Sequence, residues 1–270
     1  MPEIVYWNPW RRLGRTGLLR RVPVPRRVDN FGDLLGPLIV DRLRRRLGLP
    51  ADGPRRDGRR LLAVGSILHF ARPGDVVWGS GVNGKIPVEG FPPLDVRAVR
   101  GPRTAQRLRA AGAEVPEVFG DPALLIPHLW SDDELGVRRR TGGTVFVPNL
   151  HDLGAFPSES LDPRGGALEK VAAIASAERV VASSLHGMVV ADAFGVPLLP
   201  VASRAEPPFK YQDYFEGTGR ELPELFPDWR AAVADGGLRV PPPAWRHEPL
   251  LAAFPADLWP AAPRRTGRAG

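Results

Sequence analysis

The sequence predicts an α/β protein built on parallel sheets. Three observations predict it. Short β-branched runs alternate with helix-compatible segments along most of the 270 residues. The helix-compatible segments carry start and stop residues at the correct ends. The length allows two modest units or one large one, and a hydrophobic content of 43% with 25% charged residues is that of a globular protein.

Taken in order, a first strand is expected at Ile4–Trp7. A helix is expected over Asp33–Leu47, entered through Asn30-Phe31-Gly32-Asp33, where Asp33 is a good N-cap. Leu61–Val64 and Val76–Trp78 read as short buried strands. Behind them lies Gly79-Ser80-Gly81-Val82-Asn83-Gly84-Lys85, which matches both G-x-G-x-x-G and most of a phosphate-binding loop. Ile86 replaces the hydroxyl residue that would hold magnesium, and Pro87 follows, so the strand–loop–helix context is missing. The loop is better read as a tight glycine turn lining a cleft. Val96–Val99 is the next strand, and Gly101 (cap) with Pro102 (first helical position) starts a helix over Pro102–Ala111. Val115–Phe119 reads as a strand. Arg138-Arg139-Arg140-Thr141-Gly142-Gly143 is a polar, glycine-bearing joint, placing a boundary between residues 1–140 and 141–215.

The second block repeats the alternation. Strands are expected at Thr144–Val147, Arg179–Ala182 and Leu198–Val201, with helices at Ala167–Ala177 and Leu185–Phe194. Ser183 or Ser184 can cap the last helix, and Gly195 stops it. After Pro207 the chain is rich in Pro, Trp and Gly and periodicity fades. Residues 266–270 read as a disordered tail.

Composition narrows the function. There is no cysteine, which excludes disulfides, thiolate chemistry and cysteine-built zinc sites. Met1–Trp7 shows no charged-then-apolar secretory signal. The stretch Val180–Ala202 contains His186, Asp192, Pro197 and Pro200, which argue against a membrane span. With Lys85, Lys170 and Lys210 as the lysines, 34 of the 37 basic residues are arginine, and the net charge is +7. GC-rich coding explains the arginine bias. The charge itself suits an anionic ligand or a membrane surface. The basic runs Arg11-Arg12, Arg44-Arg45-Arg46 and Arg138-Arg139-Arg140 are scattered without aromatic interleaving, against a nucleic-acid partner.

The strand–helix order also selects candidate site residues. His186 falls in the first turn of a helix at the carboxyl end of a strand, the edge where open α/β sheets bind ligands. A helix N-terminus favours anions and lowers the pKa of a nearby imidazole. Arg100 sits at an equivalent strand end. Asp33 offers a carboxylate to the cleft. His151-Asp152 follows a strand and can line a cleft or a surface loop. Lys210-Tyr211-Gln212-Asp213-Tyr214-Phe215 suits either sugar stacking or a structural plug. Glu216 and Glu224 have the spacing of a paired-glutamate motif, but Gly217, Gly219 and Pro223 keep them off one helix face. His69, His128, His151 and His247 are dispersed, with no metal-ligand spacing.

Together and in order, several short motifs resemble the polysaccharide pyruvyl transferase family. They are Asn30-Phe31-Gly32-Asp33, Gly65-Ser66-Ile67-Leu68, Val77-Trp78-Gly79-Ser80-Gly81, Val99-Arg100-Gly101-Pro102-Arg103-Thr104, Gly120-Asp121-Pro122-Ala123-Leu124-Leu125, Ser183-Ser184-Leu185-His186-Gly187 and Lys210-Tyr211-Gln212-Asp213-Tyr214. The resemblance covers roughly Asn30 to Phe215. It implies a GT-B-like fold of two Rossmann-like domains around a cleft, with residues 216–265 packing back on the first domain. It implies phosphoenolpyruvate as co-substrate, no cofactor or metal, and a glycan or lipid-linked oligosaccharide as acceptor, which forms a cyclic ketal. By motif position His186 would be the catalytic residue; Asp33, reaching the cleft from the other unit, is the candidate second acid–base group. The donor would meet Arg100, Arg103 and the Ser183, Ser184, Leu185 turn. The acceptor cleft would draw on Asn30, Gly32, Gly79, Ser80, Gly81, Asn149, His151 and Lys210. Ser184 stands where some members have an arginine two residues before the histidine, so Arg103 or the helix terminus must supply that charge. Asn149 stands where many relatives have histidine. The implied location is cytoplasmic, with peripheral contact at the inner membrane surface. A nucleotide-sugar glycosyltransferase and a non-catalytic glycan-binding protein are the alternatives.

Overall fold

The computed structural model describes residues 2–12, 23–51, 58–86, 90–141, 143–235 and 240–260. The expected tail at 266–270 lies outside the described residues.

Two parallel sheets form the frame. The first has the order β1 (Glu3–Val5), β4 (Arg60–Leu62), β5 (Val76–Trp78), β6 (Asp95–Ala98). The second has the order β7 (Thr144–Val147), β8 (Arg179–Ala182), β9 (Leu198–Pro200). β2 (Trp10–Arg12) and β3 (Pro23–Arg27) pair antiparallel in a separate two-stranded sheet. The helices that matter for the site are α1 (Phe31–Arg46), α2 (Pro102–Ala110), α5 (Ala167–Ser176), α6 (Leu185–Ala193) and α7 (Phe209–Gly217). Shorter helices are α3 (Ile126–Leu129), α4 (Asp132–Leu135), α8 (Trp229–Asp235) and α9 (Glu248–Ala252).

Strand alternation distributes the apolar side chains. Leu61, Val76 and Trp78 face one core, while Leu62, Val77 and Val96 face another with Ala105 and Leu108 of α2. In the second sheet Val180, Ala182 and Leu198 face the first of these cores, and Val181 and Leu199 face a third. The shared central core contains Phe31, Leu35 and Ile39 of α1, Val171 and Ile174 of α5, and Met188, Val189 and Val190 of α6. α6 is apolar on nearly all sides because it is enclosed there. Residues beyond α7 return to the first sheet. Trp78 Nε1 donates to Leu250 O (2.8 Å) and Trp245 Nε1 donates to Phe119 O (2.8 Å).

Three expectations need correction. Val115–Phe119 is reduced to a parallel bridge from Val99 to Phe119, because Pro116 lacks the N–H a ladder requires. Asp33 is not the cap of α1: Asn30 occupies that position, and Asp33 is in the first turn, accepting from Asn30 Nδ2 at 2.6 Å. Periodicity does not fade after Pro207. Pro208 precedes α7 and Gly219, at φ +73°, follows it, so these residues punctuate a buried helix.

Candidate active site

The carboxyl ends of both sheets open into one partly open cavity of about 280 Å³ with mixed polar and apolar lining. From the first sheet, the segments after β1, β4 and β5 supply Trp7, Ser66, Ile67, His69, Asn83 and Lys85. From the second, the segments after β7, β8 and β9 supply Asn149, Leu150, His151, Ser184 and Glu206. The first turns of α1 and α6 meet across it, bringing Asn30 and Asp33 against Leu185 and His186, and α7 adds Lys210.

Local sequence explains this meeting. Ser184 caps α6, its hydroxyl accepting from Gly187 N at 3.3 Å. Gly195, at φ +64°, ends the segment as expected. The imidazole of His186 lies directly on Gly32: a Cβ there would stand 2.0 Å from Nδ1. Gly32 is therefore needed for contact between two helix N-termini and is not itself a wall of the cavity. Phe31 N is held by Pro163 O and Gly187 N by the Ser184 hydroxyl, so what the two helix starts offer an anion is chiefly the positive end of each helix dipole.

Burial sets the electrostatics. Desolvation pushes the Asp33 carboxyl up to about 7, outweighing the Asn30 hydrogen bond and Lys210. Burial, reinforced by Lys210 and Arg100, pushes the His186 imidazole down to about 3, so it is neutral at physiological pH instead of titrating near neutrality as its type predicts. Burial lowers Lys210, opposed by Glu206. Glu206 sits between two cations, 3.2 Å from Lys85 Nζ and 3.2 Å from Lys210 Nζ. Although burial raises it, those lysines hold its carboxyl below the usual range.

Of the residues selected from sequence, Asn30, Asp33, Asn149, His151, Ser184, Leu185, His186 and Lys210 line the cavity. The arginines do not. Arg100 is fully buried beneath it, with Nε donating to Asp213 Oδ2 (3.0 Å), one terminal nitrogen to Ser66 Oγ (2.6 Å) and the other to Val82 O (2.9 Å). Asp213 also accepts from Thr104 N at 2.8 Å and from Thr104 Oγ1 at 2.7 Å. Arg103 is forked onto Glu216 of α7. Gly79, Ser80 and Gly81 are not walls of the cavity: a Cβ on Gly81 would stand 2.4 Å from Arg100 Cζ, Ser80 O accepts from Arg100 N while its Oγ donates to Gly65 O, and Gly79 packs on the Pro122 ring. Ser183 lies behind the wall, donating to Asp152 Oδ2 and accepting from Asn149 N, both at 2.9 Å. Tyr211, Tyr214 and Phe215 are buried, so the aromatic part of α7 is a structural plug.

Glu206, Lys85 and Asp121 join the site only through the fold. Glu206 had a signal: it follows a strand and precedes Lys210 by four residues. Lys85 ends the glycine turn after β5. Asp121 follows the Val115–Phe119 run in Gly-Asp-Pro, and its Oδ2 lies 3.9 Å from His186 Nε2. A second, more open hollow of about 820 Å³ joins the cavity at Leu150 and His151 and is bordered by Arg11, Arg164 and Arg204. Among the described residues, no helix is long and apolar enough to cross a membrane.

A family model described as polysaccharide pyruvyl transferase matches residues 30–204. The chain is 32% identical over 207 residues to the succinoglycan biosynthesis protein ExoV of Rhizobium meliloti (strain 1021), over 70% of this chain and 62% of that protein. The chain thus spans less than two thirds of that relative's length. No solved structure matches.

Proposed function

The chain belongs to the polysaccharide pyruvyl transferase family, and from that premise we propose that it transfers the pyruvate unit of phosphoenolpyruvate to two hydroxyls of one sugar, forming a cyclic ketal in exopolysaccharide assembly. One observation carries the reading: two helix N-termini, Lys85, Lys210 and a largely buried imidazole converge on one small cavity. That is the environment a small donor bearing a carboxylate and a phosphate requires.

The roles follow from protonation state. Asp33, with its carboxyl raised to about 7, is the acid that protonates the enol methylene and leaves a cationic C2. His186, neutral, takes the proton of the attacking hydroxyl as oxygen bonds to C2, and returns it to the departing phosphate. The second hydroxyl then closes the ketal, and its proton restores Asp33. Of the two hydroxyl protons lost, one ends on the new methyl group and one on phosphate. The lysines replace the arginines as donor clamps, and Arg100 acts from beneath, holding Ser66 and the glycine turn.

The acceptor enters through the wider hollow beside His151. Its arginine border and the net charge of +7 suit a glycan carried on an anionic lipid at the inner membrane surface. We further propose that residues 1–140 and 141–215 form two units in a GT-B-like arrangement, with residues 216–265 packed on the first. The two parallel sheets with carboxyl ends on one cavity support it.

The experiment is direct. The protein, phosphoenolpyruvate and a saccharide acceptor should release phosphate and give an acceptor heavier by one pyruvic acid less one water. Phosphoenolpyruvate, and not a nucleotide sugar, should raise the melting temperature. Stabilisation by a nucleotide sugar with sugar transfer overturns the reading in favour of a glycosyltransferase, and absence of any product from either donor overturns it in favour of glycan binding.

A further inference from the structure

The Gly120-Asp121-Pro122 turn has a role that its position behind the cavity does not reveal. Asp121 Oδ1 accepts from Ala123 N at 2.9 Å, capping the short turn Pro122–Leu125. Its second oxygen, Oδ2, is enclosed and has no hydrogen-bond partner. His186 Nε2 is also enclosed and also has none. These two orphaned atoms face each other at 3.9 Å. A buried polar atom without a partner is unfavourable, and two of complementary kind side by side are a pair that a small ring rotation would close.

From this geometry we infer that Asp121 is a positioning residue that holds the proton of neutral His186 on Nε2. The other ring nitrogen, Nδ1, rests beside Gly32 at the first turn of α1 and is left with its lone pair. Only that tautomer lets the imidazole accept a proton at Nδ1. The carboxylate fixes which nitrogen carries hydrogen, as the buried acid of a hydrolase triad does for its histidine. The surroundings hold the turn in place. Gly120 has φ +144° and lies against the Trp245 ring, whose Nε1 is anchored on Phe119 O. The other charged or titratable groups felt here are Arg100 and Lys210 by His186, and Arg100 and Tyr214 by Asp121. None of them presents an acceptor to Nε2.

The catalytic consequence rests on the proposed role of His186, but the tautomer does not, so it is measured without substrate. Long-range ¹H–¹⁵N correlation spectra of the full chain distinguish Nε2–H from Nδ1–H imidazole, and the His186→Gln variant identifies the signal. The wild type should show His186 as the Nε2–H form at neutral pH. In Asp121→Asn the amide oxygen keeps the cap on Ala123 and the NH₂ faces Nε2. Nε2 must then accept, and the spectrum should change to Nδ1–H. Turnover should fall on the order of 10²–10⁴-fold, the range for a misdirected general base, while the KM for phosphoenolpyruvate stays within about threefold, because ground-state binding is untouched. An Nδ1–H wild type overturns the inference whether or not the variant folds, and so does a variant with the wild-type tautomer. If the tautomer inverts but the wild type never consumes phosphoenolpyruvate, the pairing stands and the pyruvyltransferase reading fails.

Discussion

The turn from β8 into α6 and the turn from β6 into α2 differ in what their polar side chains meet. Both lie at the carboxyl edge of a parallel sheet, and both have a well-formed helix start, Ser184 in one and Gly101-Pro102 in the other. His186 emerges into the cavity with an enclosed nitrogen unsatisfied. Arg100 is saturated by Asp213, Ser66 and Val82 and touches no solvent. A strand-end position brings a residue to the ligand edge. Whether it faces the ligand depends on whether another part of the chain has already supplied its partner. Asp213, on α7, did so for Arg100.

The sharpest test of this contrast is His186→Ala. Turnover should drop by about 10²–10⁴-fold, with the protein still folded and a stability loss smaller than that of Arg100→Ala, since removing the imidazole takes away its contact with Gly32 but strands no buried charge. Wild-type turnover in a folded variant would remove the contrast. Arg100→Ala should do the reverse and act on the fold. It strands the Asp213 carboxylate in the interior, and breaking a buried pair in this way is worth about 3–5 kcal/mol of stability. Denaturant titration measures it. A loss confined to donor affinity, with stability intact, would return Arg100 to the role of donor clamp.

A smaller effect is expected at Lys210. Lys210→Met should weaken phosphoenolpyruvate binding by about 1.5–3 kcal/mol, the worth of a charge-assisted contact, because Lys85 still neutralises Glu206. Calorimetric titration checks this, and unchanged affinity would move the clamp elsewhere. The smallest effect concerns protons. Asp33 holds a proton up to about pH 7 when folded but releases it near its ordinary value when unfolded. Between those values the folded state binds more protons, so its contribution to stability declines as pH rises through this window. Asp33→Asn should accordingly stabilise the protein more at pH 8 than at pH 4. An anionic donor raises this carboxyl further, so binding at pH 7 should take up a fraction of a proton, and Asp33→Asn should abolish most of that uptake. Equal stabilisation at both pH values would mean that Asp33 is ionised in the fold.

Much of the frame was legible. Val76–Trp78, Thr144–Val147 and Arg179–Ala182 lie where their β-branched runs place them, and α2 and α6 begin at their expected caps. These features depend on neighbours in sequence, where backbone propensity and capping act. The misses share a different cause. Asp33 was read as a cap because Asp is a good one, but the backbone turns into a helix at Asn30, where contact with residues 163–165 holds the chain. α7 was obscured because its flanking prolines and glycines resemble a loop unless the helix between them is seen to be buried.

The sequence by itself determined the α/β class, the parallel strands, the capped turn that carries His186 and the family to which the chain belongs, because each is written in local spacing and in the order of short motifs. Only the tertiary structure decided which charges reach the cavity. Burial of Arg100 against Asp213, the gathering of Lys85 and the buried Lys210 around Glu206, the neutral state of His186 and the approach of Asp121 to its Nε2 all depend on how the chain folds. Their energies come from desolvation and from partners that folding alone supplies.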